Sequence, residues 1–190
     1  MGYTGHTIVH ISKLLNTKGV DITSVCDLGA QNNYAQPKLP APYMSEWYAK
    51  LENIVEYMCI DLNGENGAKT WDLSEPLKTT KKFDLVVDAG TSEHVKDYYQ
   101  CMANIDKLAK VGGYIFRENP KTGNWPQHGL HYVNTEFYTE LAKSAGYELL
   151  YLDENAAMGN TINGWNITAI MRKTRNTFID REQLPTVYNV

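Results

Sequence analysis

The chain has 190 residues, 43% hydrophobic and 21% charged, with a formal net charge of −4. That length suits one folded domain with a substantial core, because domains usually run to ~100–150 residues and can reach ~250. The charge balance gives no basic footprint for nucleic acid, and no apolar run approaches the ~20 residues that span a bilayer.

Met1 to His10 lacks the basic start and long apolar stretch of a signal peptide, so the cytoplasm is the expected compartment. Residues Gly5 to Leu15 predict an N-terminal helix with Ile8, Ile11, Leu14 and Leu15 on one face, within a segment of about 5–18 that closes near Gly19. A short strand follows at Ser24 to Asp27. Pro37, Pro40 and Pro42 forbid a regular helix over 31–42, which displaces the next helix to about Tyr43–Leu51. The second strand is expected from Ile54 to Ile60. Asn63 to Gly67 signals a turn, and Ala68 to Trp71 supplies a short third strand.

Phe83 to Ala89 reads as a buried parallel strand, being short, rich in β-branched residues and ended by Asp88-Ala89-Gly90. His94 to Leu108 then has helical spacing, with Val95, Tyr98, Tyr99, Met102, Ile105 and Leu108 on one stripe. Gly112-Gly113 breaks it, and Tyr114 to Arg117 is the fifth strand. A loop rich in Pro, Gly, His and Trp runs from Asn119 to Tyr132. Thr135 is placed to cap a helix that stops before Gly146. Glu148 to Leu152 and Ile167 to Arg172 predict a closing antiparallel pair. The core therefore covers about 24–173, and the polar tail 174–190 is expected to be loosely held. Cys26, Cys59 and Cys101 follow no metal-ligand spacing and read as reduced thiols packed as small hydrophobes.

Strands one, two and four each end in an acidic residue: Asp27 before Leu28-Gly29-Ala30, Asp61 before Leu62, and Asp88 before Ala89-Gly90. In an open α/β sheet, ligands sit in the crevice outside the carboxyl ends of the strands. Serial acidic ends there suggest a nucleoside-type ligand with ribose hydroxyls and a cationic centre. The ordered set Asp27-Leu28-Gly29, Asp61, Trp71-Asp72-Leu73, Asp88 to Val95 and Lys110 to Tyr114 resembles the S-adenosylmethionine-dependent methyltransferases with a Rossmann-like fold. The resemblance runs from about Val25 to Arg172. It implies a three-layer α/β fold, with a mostly parallel seven-stranded sheet, helices on both faces and an antiparallel last strand.

The resemblance also implies S-adenosyl-L-methionine as cofactor. Asp61 would accept both ribose hydroxyls, since a carboxylate offers two acceptor oxygens to a vicinal diol. Asp72 would accept from the adenine amine while Leu62 and Leu73 flank the nucleoside. Gly29, Ala30 and Gln31 would pass the methionine part, and Asp88, Ala89 and Gly90 would face the methyl-transfer centre. Asp27 would either hold the loop backbone or sit near the methionine ammonium. The loop has one glycine where relatives place two or three, so Asn32 and Asn33 stand in, both residues that tolerate left-handed backbone. No GxGxxG fingerprint exists to receive a pyrophosphate.

A general base is needed only if the acceptor must lose a proton, and His94, His128 and His131 are the candidates near neutral pH. His94 has an alternative role in packing or capping a helix start. Trp125, Tyr132 and Phe137 would stack on an acceptor or form a plain apolar lid, and Glu118 is the reserve base. The expected acceptor is a small molecule with an oxygen or nitrogen nucleophile. Two other readings stand beside this one. A degenerate, non-enzymatic module would bind cofactor or partner only, and a Mg²⁺-dependent O-methyltransferase would hold the ion on Asp88, Glu118 and Asn119. Oligomeric state is left open.

Overall fold

The computed structural model describes residues 2–35, 42–156 and 164–188. Among them, seven strands form one sheet: β1 (Ser24–Leu28), β2 (Glu56–Asp61), β3 (Lys69–Thr70), β4 (Phe83–Ala89), β5 (Ala109–Pro120), β6 (Tyr147–Ala156) and β7 (Trp165–Lys173). Their order across the sheet is β3-β2-β1-β4-β5-β7-β6. The pairings β3–β2, β2–β1, β1–β4 and β4–β5 are parallel, whereas β7 runs antiparallel to both β5 and β6. The expected mixed sheet with its antiparallel closing strand is thus present.

All five residues of β1 are buried, as a central parallel strand covered on both faces must be. Side-chain alternation sends Cys26, Leu28 and Val86 to one face and Val25, Leu85 and Val87 to the other. The first face packs against α3 (Tyr98–Leu108) and α4 (Thr135–Ala145). The second packs against α1 (Gly5–Leu15) and the short α2 (Met44–Tyr48). A further two-residue parallel ladder joins Gly2 and Tyr3 to Asn32 and Asn33, so the start of the chain lies along the loop after β1.

Local chemistry sets the element ends. Thr4 and Thr7 form a reciprocal capping box at the start of α1. Asn134, one residue earlier than expected, caps α4 by accepting from the Phe137 N–H at 2.9 Å, and Gly146 ends that helix at φ 67°. The continuous helix expected from His94 is broken. Ser92–His94 form a 3₁₀ turn, Val95 is extended, and Asp97 caps a new helix through the Gln100 N–H at 3.0 Å.

β5 is longer than its apolar run, starting at Ala109 and continuing through Arg117, Glu118, Asn119 and Pro120. Gly113 lies inside it rather than before it, because a Cβ there would meet the carbonyl oxygens of Phe83, Asp84 and Lys110 at 3.0–3.1 Å. The tail is also better held than its polar composition suggests. Phe178, Leu184 and Val187 pack on the core and Ile179 is buried in it, while the Tyr99 hydroxyl donates to the Ile179 carbonyl at 2.9 Å. Cys26, Cys59 and Cys101 are buried free thiols, and no helix among the described residues is long and apolar enough to cross a membrane.

Candidate active site

Two adjoining cavities open at the carboxyl ends of β1, β2, β4 and β5, and His94 lines both. The first, of about 210 Å³, is walled by Gly29, Asp61, Leu62, Trp71, Asp72 and Leu73. It combines an apolar slot with two carboxylates. Gly29 takes φ 87° and donates its N–H to the Ile60 carbonyl at 2.6 Å, which turns the chain sharply out of β1. Asp61 Oδ2 accepts from the Ala30 N–H at 2.8 Å, tying the end of β2 to the loop after β1. Asp72 closes a turn by accepting from the Ser74 N–H at 2.8 Å.

The second cavity, of about 300 Å³, is lined by Ala89, Gly90, Glu93, Glu118, Trp125 and His128, with Gly2 and Tyr34 at its edge. Glu93 and Glu118 are both almost fully buried. Glu118 accepts from the hydroxyls of Thr4 and Thr7 and from the Asn166 amide, with His6 Nδ1 at 3.4 Å. Glu93 Oε2 accepts from the Asn119 amide at 3.2 Å, and its Oε1 lies 3.8 Å from His94 Nε2 and 3.7 Å from His128 Nε2. The two imidazole rings are 4.9 Å apart edge to face, and Trp125 packs 5.2 Å from His128. Burial pulls the pKa of His94 below its ordinary value, with Glu93 opposing the shift and His128 adding to it.

Several expected contacts lie elsewhere. Asp88 lines neither of these two cavities: its carboxylate is enclosed by Arg117 Nε at 2.9 Å, the backbone N–H groups of Thr91 and Ser92, the Ser92 hydroxyl and the Asn119 amide. It is the anchor of the loop after β4, not a ligand group. The same network removes Asp88 and Asn119 from the expected Mg²⁺ set. The guanidinium already neutralises Asp88, and Asn119 Oδ1 accepts from the Tyr138 hydroxyl at 2.6 Å. Of that trio, Glu118 lines the second cavity.

Asp27 is also enclosed, with Tyr3 and Tyr57 donating to its two oxygens, the latter at 2.8 Å. Its partners are thus two phenol hydroxyls, neither the loop backbone nor a cavity-facing group. Gln31 is buried and donates to the Leu28 carbonyl and the Thr91 hydroxyl, bracing two loops. The His131 ring packs 5.0 Å from that of Tyr98, its backbone N–H donates to the Glu93 carbonyl, and the residue does not line the second cavity as His128 does. Ala89 and Gly90 line the second cavity rather than the first.

Two important residues carry weak sequence signals. Arg117 is buried under the rings of Tyr98, Phe137 and Tyr138, 5.3–5.8 Å from their centroids. An arginine closing an apolar strand is its only sign. Glu93 follows Thr91-Ser92 on what reads as a helix start, where an acid ordinarily serves the helix dipole.

No family model and no curated protein matches the chain at the level of sequence. Solved structures do match it. N-methyltransferase NodS from Bradyrhizobium japonicum WM9, in complex with S-adenosyl-L-homocysteine, superposes with a TM-score of 0.63 at 13% identity, covering 90% of this chain and 89% of that one. A SAM-dependent methyltransferase from Methanosarcina mazei gives 0.62 at 13% identity, covering 92% and 99%. The Burkholderia thailandensis 1,6-didemethyltoxoflavin-N1-methyltransferase, with its substrate and S-adenosylhomocysteine bound, gives 0.58 at 16% identity, covering 80% and 71%. This is the class I methyltransferase fold. Its strand order and closing antiparallel pair place both cavities on the sheet edge where α/β folds of this kind receive ligands.

Proposed function

We propose that the protein is an S-adenosylmethionine-dependent methyltransferase acting on an oxygen or nitrogen of a small molecule. The observation that carries this reading is the meeting of the two cavities at His94, one shaped for a nucleoside and the other lined by acid and imidazole groups. The residues present fit the cofactor. Asp61 keeps a carboxylate on the wall beside Gly29 for a vicinal diol, and Leu62, Trp71 and Leu73 offer a flat apolar slot with Asp72 at its rim. The sulfonium supplies an electrophilic methyl group, so the protein's task is to align the nucleophile and to manage its proton. Glu93, His94 and His128 line the acceptor side, where they can govern the loss of that proton. The small-molecule substrate of the Burkholderia neighbour supports the acceptor class.

Calorimetric titration with S-adenosylhomocysteine tests the reading. Binding is expected, and Asp61→Ala should weaken it by about 1.5–3 kcal/mol, the range for hydrogen bonds to a charged group. A folded protein that binds neither S-adenosylmethionine nor its product at millimolar concentration overturns it. An unchanged affinity in Asp61→Ala removes that residue from the ribose site. The single-glycine loop after β1 favours one other reading, a non-enzymatic binding module, which predicts nucleoside binding with no turnover of any acceptor.

A further inference from the structure

The wall of the second cavity joins one buried carboxylate to two half-exposed imidazoles, of which His94 also lines the first cavity. The donor atoms of Glu93, His94 and His128 all lie within 4.8 Å of one another. Bonds of ~2.0–2.2 Å to a common ion would set such donors ~3–3.5 Å apart. The two rings, 38% and 41% exposed, have room to close that gap, whereas the Glu93 side chain is 2% exposed and held by Asn119.

Charge points the same way. Asp88 is balanced by Arg117, but the ion-pair partners of the buried Glu93 among the described residues are the two histidines, and Glu118 adds a second acid to the same cavity. A buried carboxylate without a counter-charge is costly. A divalent cation seated between Glu93 and the imidazoles would relieve that cost. Two nitrogen donors and one oxygen suit first-row transition ions, while Mg²⁺ and Ca²⁺ prefer all-oxygen sets.

We propose that Glu93, His94 and His128 form a binding site for one divalent first-row transition-metal ion, with its remaining coordination positions open to the acceptor cavity. Ion binding stands on these three side chains alone. Its role rests on the methyl-transfer reading: an acceptor hydroxyl on an open position is acidified. The O–H bond then breaks with the proton passing to water, the O–C bond forms, and the C–S bond of the sulfonium breaks to release the thioether.

The test uses the tag-free full chain, stripped with EDTA and desalted, and titrated with Co²⁺ while visible d–d absorption is recorded. One equivalent should bind with the intense bands of a low-coordinate site. His94→Gln and His128→Gln, both on half-exposed side chains and checked for folding by circular dichroism, should each weaken Co²⁺ binding at least about tenfold. His10→Gln, on a ring stacked against Tyr151 away from the cavity, should leave it unchanged. Absent d–d bands, or unchanged Co²⁺ affinity in both cavity variants, overturns the site. Calorimetry with S-adenosylhomocysteine on the same stripped protein separates the two proposals. Nucleoside binding without Co²⁺ binding rejects the ion site alone, and Co²⁺ binding without nucleoside binding supports the ion site and rejects the methyl-transfer reading.

Discussion

Asp27 illustrates how much one residue's surroundings matter. Burial raises its carboxyl from 3.8 to about 7, against the opposing hydrogen bonds from Tyr3 and Tyr57. The folded state therefore holds this proton more tightly than the unfolded chain. Its contribution to stability is complete below about pH 4 and is lost as pH rises through about 7. Asp27→Asn should remove that slope, so the variant gains on the wild type between pH 4.5 and pH 8 in urea unfolding, by up to ~4 kcal/mol. A difference that does not move with pH would show that Asp27 carries no perturbed proton. That an acid ends β1 is readable from Val25-Cys26-Asp27-Leu28. What it faces is not, because Tyr3 and Tyr57 arrive from separate elements. The same holds for Asp88, whose partner Arg117 comes from the next strand in the sheet.

Among the elements, α3 shows a periodic signal losing to a local one. Apolar spacing from Val95 onward reads as unbroken helix, yet Asp97 and Gln100 carry a cap pattern, and the cap decides where α3 begins. Asp97 also holds Arg181 of the tail through two contacts, at 2.9 and 2.7 Å. The two roles can be separated. Asp97→Ala should cost about 1–2 kcal/mol by loss of the cap. Arg181→Ala removes an exposed ion pair and a guanidinium 4.4 Å from the Tyr99 ring centroid, and should cost less than loss of the cap. Equal losses in thermal or urea unfolding would shift the weight from the cap to the tail contact. β5 teaches the complementary lesson. Its polar end, Arg117 to Asn119, hides a strand whose side chains find their partners on other elements, such as Asp88, Thr7 and Tyr138, and Gly113 marks a close approach to β4 instead of a boundary.

At the scale of the whole molecule, the sheet order follows from short apolar runs, their acidic ends and the final antiparallel pair, all visible in the chain. The docking of the tail is not visible. Residues 174–188 have an ordinary polar composition, and only the folded core supplies the surface that Phe178 and Ile179 cover. Ile179→Ala should therefore destabilise the protein by ~2–4 kcal/mol, as truncation of a buried isoleucine does. A loss below ~0.5 kcal/mol in urea unfolding, as for a surface substitution, would return the tail to the loosely held state its composition suggests. The site divides similarly. Asp61, Asp72 and Leu73 line the first cavity, while the second depends on Glu93 and on a loop whose His128 lines it.

The backbone bridge between Tyr132 and Tyr188 adds a temporal side to this architecture. A ribosome makes a chain from its amino end, so the lining of the first cavity, Gly29 to Lys96, emerges before Tyr188 exists. The loop that carries His128 gains its brace only once synthesis has passed Tyr188. On the nascent polypeptide, the second cavity is braced later than the first is assembled.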